Sequence, residues 1–117
     1  MTEEVKRYLE KAQKSLKVAS ALQAKGYYED SCSKSYYVMF YATQALLKSS
    51  GIDVVKHSAV VAKLGEHFIK TGKIDSRFHR YIIDAKRKRE IADYDVFLRI
   101  GRDTAEERVK WAKDFLS

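Results

Sequence analysis

Hydrophobic residues recur along most of this chain at spacings of three and four positions, which is the period of an amphipathic α-helix. Acceptable cap residues stand at several of the predicted ends, with Thr2 before the first helix and Gly26 after it. The later predicted helices cover about 28–50, 58–70 and 76–91, and a last one starts near residue 103 or 104. No segment shows the sustained alternation that is typical of a β-strand.

The middle of the second predicted helix, residues 36–47, is apolar on nearly all sides, so we expect other helices to cover it. The chain has no proline and only five glycines, which favours long helices with short connections. Short connections place neighbouring helices antiparallel. The pattern therefore predicts an all-α, up-and-down bundle of four to five helices that forms one domain over residues 1–117.

Arg89 interrupts the buried face of the fourth predicted helix. It occupies one position of a 4-3-4-3 repeat whose members are Phe78, Ile82, Ala85, Arg89 and Ala92. A guanidinium keeps its charge, so a buried one needs a partner or a wet cleft. Asp93, Tyr94 and Asp95 follow directly as candidate partners. The spacing leaves two interpretations open: a buried ion pair that fixes helix packing, or an arginine that binds an anion in a groove.

Composition indicates a soluble globular protein, with 45% hydrophobic and 33% charged residues among 117. No apolar run reaches the ~18 residues of a membrane span, and the charged amino terminus is unlike a signal peptide. We therefore expect a cytoplasmic protein that does not bind membranes. The single cysteine, Cys32, excludes an internal disulfide and is expected to be an inert buried thiol.

The net charge of +7 is concentrated in one part of the chain. Residues 56–102 contain 12 basic and 6 acidic side chains, a net +6, whereas residues 1–55 contain 8 and 6. A concentrated basic surface indicates an anionic partner such as RNA, a nucleotide or an acidic protein face. Lysines that only keep the domain soluble remain the alternative.

Several polar and aromatic residues are candidates for a binding site. Tyr37 and Tyr41 share one helix face, and His57 precedes the third predicted helix, where it can cap the helix or bind an anion. The three histidines are not paired at helical spacing, so we predict no metal site. We also find no glycine-rich phosphate loop and predict no cofactor.

An ordered set of short motifs resembles the HEPN domains, and in particular the small prokaryotic HEPN proteins that end in R-x3-DYD. The matching residues cover almost the whole chain. They are Ser33-Lys34-Ser35-Tyr36-Tyr37-Val38-Met39-Phe40-Tyr41-Ala42, Ala45-Leu46-Leu47, Gly51, His57-Ser58, Gly72, and Arg89 with Ala92-Asp93-Tyr94-Asp95.

The resemblance implies a helical bundle, often dimeric, with a polar groove at the dimer interface. Many HEPN proteins are encoded with a minimal nucleotidyltransferase as toxin–antitoxin pairs, and others are metal-independent ribonucleases with an R-x4-6-H motif. Arg89 corresponds to the motif arginine, but Tyr94, Asp95 and Val96 stand where the histidine is expected. Unperturbed tyrosine titrates near ~10 and aspartate near ~4, so neither replaces histidine by default as a group that transfers protons near neutral pH. Lys34 also stands where related proteins often have arginine.

Three functional hypotheses follow. The first is a dimeric binding module that holds a phosphate-bearing ligand, RNA or a nucleotide, and pairs with a minimal nucleotidyltransferase. The second is a ribonuclease in which Arg89 acts with Asp95 or Tyr94, and the third gives Arg89 only a structural ion pair with Asp93. The predicted ligand-binding residues are Lys34, Tyr37, Tyr41, His57, Arg89 and Asp93.

Overall fold

The computed structural model describes residues 2–97 and 99–117, and these form five α-helices and one short π-helical segment without any β-strand. The predicted all-α bundle is confirmed. The helices are α1 (Glu3–Ala24), α2 (Tyr28–Ser49), α3 (His57–Leu64), α4 (Ser76–Tyr94) and α5 (Arg102–Leu116), and the π-helical segment Gly65–Ile69 continues α3. None of these helices is long and apolar enough to cross a lipid bilayer.

Side chains cap the starts of α1 and α4, and the first of these caps is the predicted Thr2. The Thr2 hydroxyl accepts a hydrogen bond from the Val5 amide at 3.2 Å, and the Asp75 carboxylate accepts one from the Arg77 amide at 2.9 Å. Each bond satisfies an amide that has no partner within its own helix. Gly26 follows α1 with a φ of +86°, a left-handed conformation in which a Cβ would be strained.

Helix α2 lies at the centre of the bundle and packs against α1, α3, α4 and α5. This arrangement explains why its middle segment is apolar nearly all round. The main core also contains large side chains from α3, the π-helical segment and α4. Its most deeply buried members are Tyr36, Met39, Leu47, Leu64 and Ile82. One wall of the core is thus the α2–α4 interface, where Arg89 lies.

The structure corrects three predicted boundaries. Helix α4 continues to Tyr94 instead of ending near Ile91, because Arg89 and Asp93 form an i, i+4 ion pair that supports its last turn. The third predicted helix is α-helical only to Leu64 and then widens into the π-helical segment. Helix α5 starts at Arg102, one or two residues early.

Candidate functional site

The Arg89 guanidinium lies between α4 and α2, and only 17% of its side chain is exposed. Its Nη2 donates a hydrogen bond of 2.8 Å to the Tyr37 hydroxyl on α2. Its Nε lies 3.2 Å from Asp93 Oδ2, which is close enough for an ion pair. The alignment is too poor for a hydrogen bond, so Nε has no hydrogen-bond acceptor among the described residues. The guanidinium is therefore fixed in place with part of its donor capacity unused.

Three tyrosine rings surround the same guanidinium. Its carbon lies 5.8 Å from the ring centroid of Tyr36, 5.4 Å from that of Tyr37 and 5.9 Å from that of Tyr94. These distances allow cation–π attraction. Burial opposes the charged form, but the Tyr37 hydrogen bond and the charge of Asp93 outweigh it and raise the pKa of Arg89. The site therefore contains a permanent positive charge.

Asp93 is the carboxylate nearest to Arg89, and it lies on the same helix. Its side chain is about one-third exposed, and its Oδ2 also accepts a long hydrogen bond of 3.5 Å from the Ser33 hydroxyl. An ion pair within α4 does not attach α4 to its neighbours. Two hydrogen bonds link α4 to α2 here: the bond from Arg89 to the Tyr37 hydroxyl and the longer bond from Ser33 to Asp93.

His57 is the first residue of α3 and lies beside the same rings. Its ring stacks on Phe40 with centroids 4.1 Å apart, and its Nδ1 is 2.6 Å from the Tyr36 hydroxyl. Burial, followed by the positive charges of Arg89 and Lys86, lowers the pKa of His57. His57 is therefore uncharged near neutral pH, and it lies on the Arg89 side of the bundle.

Lys34 and Tyr41 lie at the edge of this cluster. Lys34 is exposed, with its Nζ 6.0 Å from the Tyr37 ring centroid. Tyr41 is half-buried, its centroid lies 5.8 Å from that of Tyr37, and Lys11 Nζ lies 5.1 Å above its ring. Burial, with a smaller effect of Tyr37, raises the pKa of Tyr41, so its hydroxyl stays protonated. Neither residue contacts Arg89 directly in the described structure.

The two residues that stand in place of a motif histidine have different surroundings. Tyr94 is the last residue of α4, 74% exposed, with its ring beside Arg89. Asp95 follows the helix in an extended conformation, and its Oδ1 accepts a hydrogen bond of 2.9 Å from the Phe97 amide. The structure thus brings Tyr94 to the guanidinium, whereas the described contacts of Asp95 stabilise the turn after α4.

Outside the Arg89 region, Cys32 has the predicted character of an inert thiol. It is buried, and this burial raises its pKa to about 11, so the reactive thiolate is scarce near neutral pH. Over residues 2–97 and 99–117, no three His, Cys, Asp or Glu side chains are grouped in a way that would hold a metal ion.

A buried arginine that the sequence pattern did not single out, Arg108, lies on α5. It contacts the carboxylates of Asp84 and Glu107, and its guanidinium carbon lies 4.0 Å from the Trp111 ring centroid. Trp111 in turn stacks on Tyr81 of α4, with centroids 4.7 Å apart. Arg108 therefore joins α5 to α4, away from the Arg89 cluster.

Comparisons with known proteins agree with this architecture. A family model described as HEPN domain matches residues 5–117. A Methanocaldococcus jannaschii protein named "Putative toxin MJ0142" is 38% identical over 103 residues, which are 88% of this chain and 70% of that protein. The Gloeobacter violaceus protein named "UPF0332 protein glr0978" is 34% identical over 80% of this chain and 75% of its own length.

Proposed function

Because the chain belongs to the HEPN domain family, we propose that its Arg89 site binds a phosphate group of RNA or of a nucleotide. The observation that carries this proposal is the guanidinium itself. It is 17% exposed, it is oriented by Tyr37, and its nearest carboxylate, Asp93, is itself partly open to solvent. The remaining guanidinium donors of an oriented, partly exposed arginine are suited to phosphate oxygens, which accept hydrogen bonds in the same plane as the guanidinium, whereas Nε itself is buried.

The surroundings of Arg89 favour a nucleic-acid ligand over a small inorganic anion. Lys34 adds an exposed positive charge on α2, whereas Lys86 on α4 is paired with Glu90. Tyr94 presents an exposed ring beside the guanidinium, which is the arrangement that allows a base to stack while its phosphate is bound. Phosphate binding and base stacking together describe a single-stranded RNA or a nucleotide.

A toxin–antitoxin role is supported by the relatives whose printed names include "Putative toxin". We propose a minimal nucleotidyltransferase as the protein partner, as the resemblance to HEPN proteins implies.

We also propose that the protein forms a homodimer through the surface next to the Arg89 site. Tyr94 at the end of α4 and Val96 and Phe97 after it have exposed side chains that border one surface hollow, and Phe97 is 90% exposed. Large exposed apolar side chains that lie together mark interaction surfaces. Phe97→Asp is expected to lower the sedimentation coefficient from that of a dimer to that of a monomer, and an unchanged coefficient would contradict the proposed surface.

Binding of an uncleavable RNA tests the proposed function. A 2′-O-methyl RNA oligonucleotide with hydroxyl ends is expected to bind the protein, and its affinity should fall by at least about 10-fold as salt rises from about 50 to about 200 mM. Fluorescence anisotropy measures this affinity. A protein that fails to bind the oligonucleotide at the lower salt concentration would contradict the proposal.

The second candidate function is a metal-independent ribonuclease, and the exposure of Tyr94 beside Arg89 favours it. The two functions are separated by incubating total RNA with the protein in a metal chelator. A binding module leaves the RNA intact. Cleavage that disappears in Arg89→Ala would instead assign catalysis to this site.

A further inference from the structure

His57 supplies a second polar group to the Arg89 region, and its ring cannot turn freely. One face of the ring stacks on Phe40 at an interplanar angle of 10°, and Nδ1 is bound to the Tyr36 hydroxyl at 2.6 Å. Among the described residues, none forms a hydrogen bond with Nε2, and the side chain is partly open to solvent. Nε2 is therefore the nitrogen that remains for a ligand.

The Tyr36 hydroxyl decides which of the two nitrogens carries the proton. Tyr36 is fully buried, and His57 Nδ1 is its hydrogen-bond partner in the described structure. Burial raises the pKa of Tyr36, so the hydroxyl keeps its proton. If Nδ1 were also protonated, the hydroxyl proton would face no acceptor, and a buried donor without a partner is costly. The hydroxyl must donate to Nδ1, which places the ring proton of neutral His57 on Nε2.

The charges around His57 favour this uncharged form. The groups that contact the His57 ring from α2 are aromatic and neutral. Two cations on α4, Arg89 and Lys86, lower the pKa of His57, and Lys86 is paired with Glu90. These neighbours are Tyr36, Tyr37, Phe40, Lys86 and Arg89. Protonation of the ring would therefore meet two positive charges and would also break the bond that the Tyr36 hydroxyl donates.

His57 and Arg89 flank the same pair of rings. The His57 ring centroid lies 5.7 Å from that of Tyr36 and 5.9 Å from that of Tyr37, and the Arg89 guanidinium carbon lies 5.8 and 5.4 Å from the same two centroids. The His57 ring and the guanidinium therefore border one aromatic pair, and the charge of Arg89 is near enough to lower the pKa of His57.

We propose that His57 binds the same phosphate as Arg89 through an uncharged Nε2–H donor, and that Tyr36 is the positioning residue that fixes this tautomer. The proposal rests on the phosphate site proposed above. It differs from ordinary histidine–phosphate binding, in which a protonated, charged ring is favoured at low pH. Because no proton is taken up, affinity for a phosphodiester should not depend on pH near neutrality.

The tautomer is tested directly by ¹⁵N NMR of the histidine side chains in the wild-type protein at pH 7. We expect His57 Nε2 to carry the proton and Nδ1 to show the shift of an unprotonated nitrogen that accepts a hydrogen bond. His57→Gln identifies the signals. A ring protonated at Nδ1, or at both nitrogens, would overturn the proposal, and this readout does not depend on any ligand.

The consequence for binding is tested with the hydroxyl-ended 2′-O-methyl oligonucleotide, whose phosphodiesters do not titrate between pH 6 and 8. Wild-type affinity should change by less than about twofold over this range. In Tyr36→Phe, Nδ1 loses its hydrogen-bond donor, so the ring proton should distribute between both nitrogens, while burial and the charges of Arg89 and Lys86 still keep the ring uncharged. Affinity should therefore fall by about threefold at every pH in this range, because a neutral hydrogen bond contributes about 0.5–1.5 kcal/mol. The matched control is His67→Gln, at a partly exposed histidine, which should behave like the wild type.

Each outcome assigns failure to a different step. A wild-type affinity that rises more than about threefold at pH 6, and loses that rise in His57→Gln, would overturn the uncharged donor. If Tyr36→Phe keeps its melting temperature and ¹⁵N NMR still shows the His57 proton on Nε2 alone, the positioning role of Tyr36 is overturned. If the expected tautomer is present but the oligonucleotide does not bind, the phosphate site itself fails.

Discussion

Replacing Arg89 by lysine is expected to weaken binding of the 2′-O-methyl oligonucleotide by about 10- to 100-fold. Because the substitution keeps the net charge, a loss of affinity would report the effect of side-chain geometry and not of charge. A lysine ammonium cannot donate to Tyr37 while it also faces Asp93 and a phosphate, because it lacks the planar, forked donors of arginine. Hydrogen bonds to charged groups contribute about 1.5–3 kcal/mol, which corresponds to this range of affinity.

Arg87→Lys is the matched control for that substitution. Arg87 lies two residues earlier on α4 and is exposed, so the same change of side chain should alter affinity by less than about twofold. Fluorescence anisotropy at one salt concentration compares the three proteins, and thermal unfolding is measured in parallel. If Arg89→Lys lowers the melting temperature but the folded protein binds as tightly as the wild type, Arg89 is a structural residue and the proposed site is wrong.

Replacing Arg108 by alanine is expected to lower the free energy of unfolding by about 3 kcal/mol. Arg108 is buried, and its removal leaves Asp84 without its partner and exposes the face of Trp111. The loss should lie at the lower end of the range for buried pairs, because Asp84 is about one-third exposed and gains hydration when it is released. Unfolding in urea, followed by circular dichroism, measures the change.

Arg102→Ala on the same helix provides the comparison for Arg108. Arg102 forms an ion pair with Glu106, but its side chain is 71% exposed. Exposed pairs of this kind contribute little, so the expected loss is below about 0.5 kcal/mol. If the two variants unfold at the same urea concentration, the buried arginine does not stabilise the α4–α5 interface as the structure indicates.

Hydrophobic spacing was sufficient to predict the helices and the partly buried position of Arg89. It did not predict the end of α4 correctly, because residues 93–95 carry no apolar periodicity and the helix is extended there by the Arg89–Asp93 pair. Arg108 was predictable in principle, since it occupies the same buried face as Ala105 and Ala112 at spacings of three and four. Because the side chain is charged, the hydrophobic pattern did not mark this position as buried.

The hydrogen-bond partners of the site residues could not be predicted from the sequence. Tyr36 and His57 are 21 positions apart, on α2 and α3, and nothing in the intervening chain specifies that they meet. Tyr37 is separated from Arg89 by 52 positions, so the hydrogen bond between them depends on how α2 packs against α4. Spacing predicts which face of a helix a residue occupies, whereas contacts between helices require the packed structure.

The central claim is that phosphate binds at Arg89, and NMR detection of the arginine Nε–H signals tests it most directly. The Arg89 signal, assigned with Arg89→Lys, should shift as the 2′-O-methyl oligonucleotide is added, together with the His57 ring signals, while the Arg108 signal on α5 stays unchanged. If the protein is saturated with oligonucleotide and the Arg89 signal stays unchanged while only signals elsewhere shift, the ligand binds outside this site and the account is contradicted.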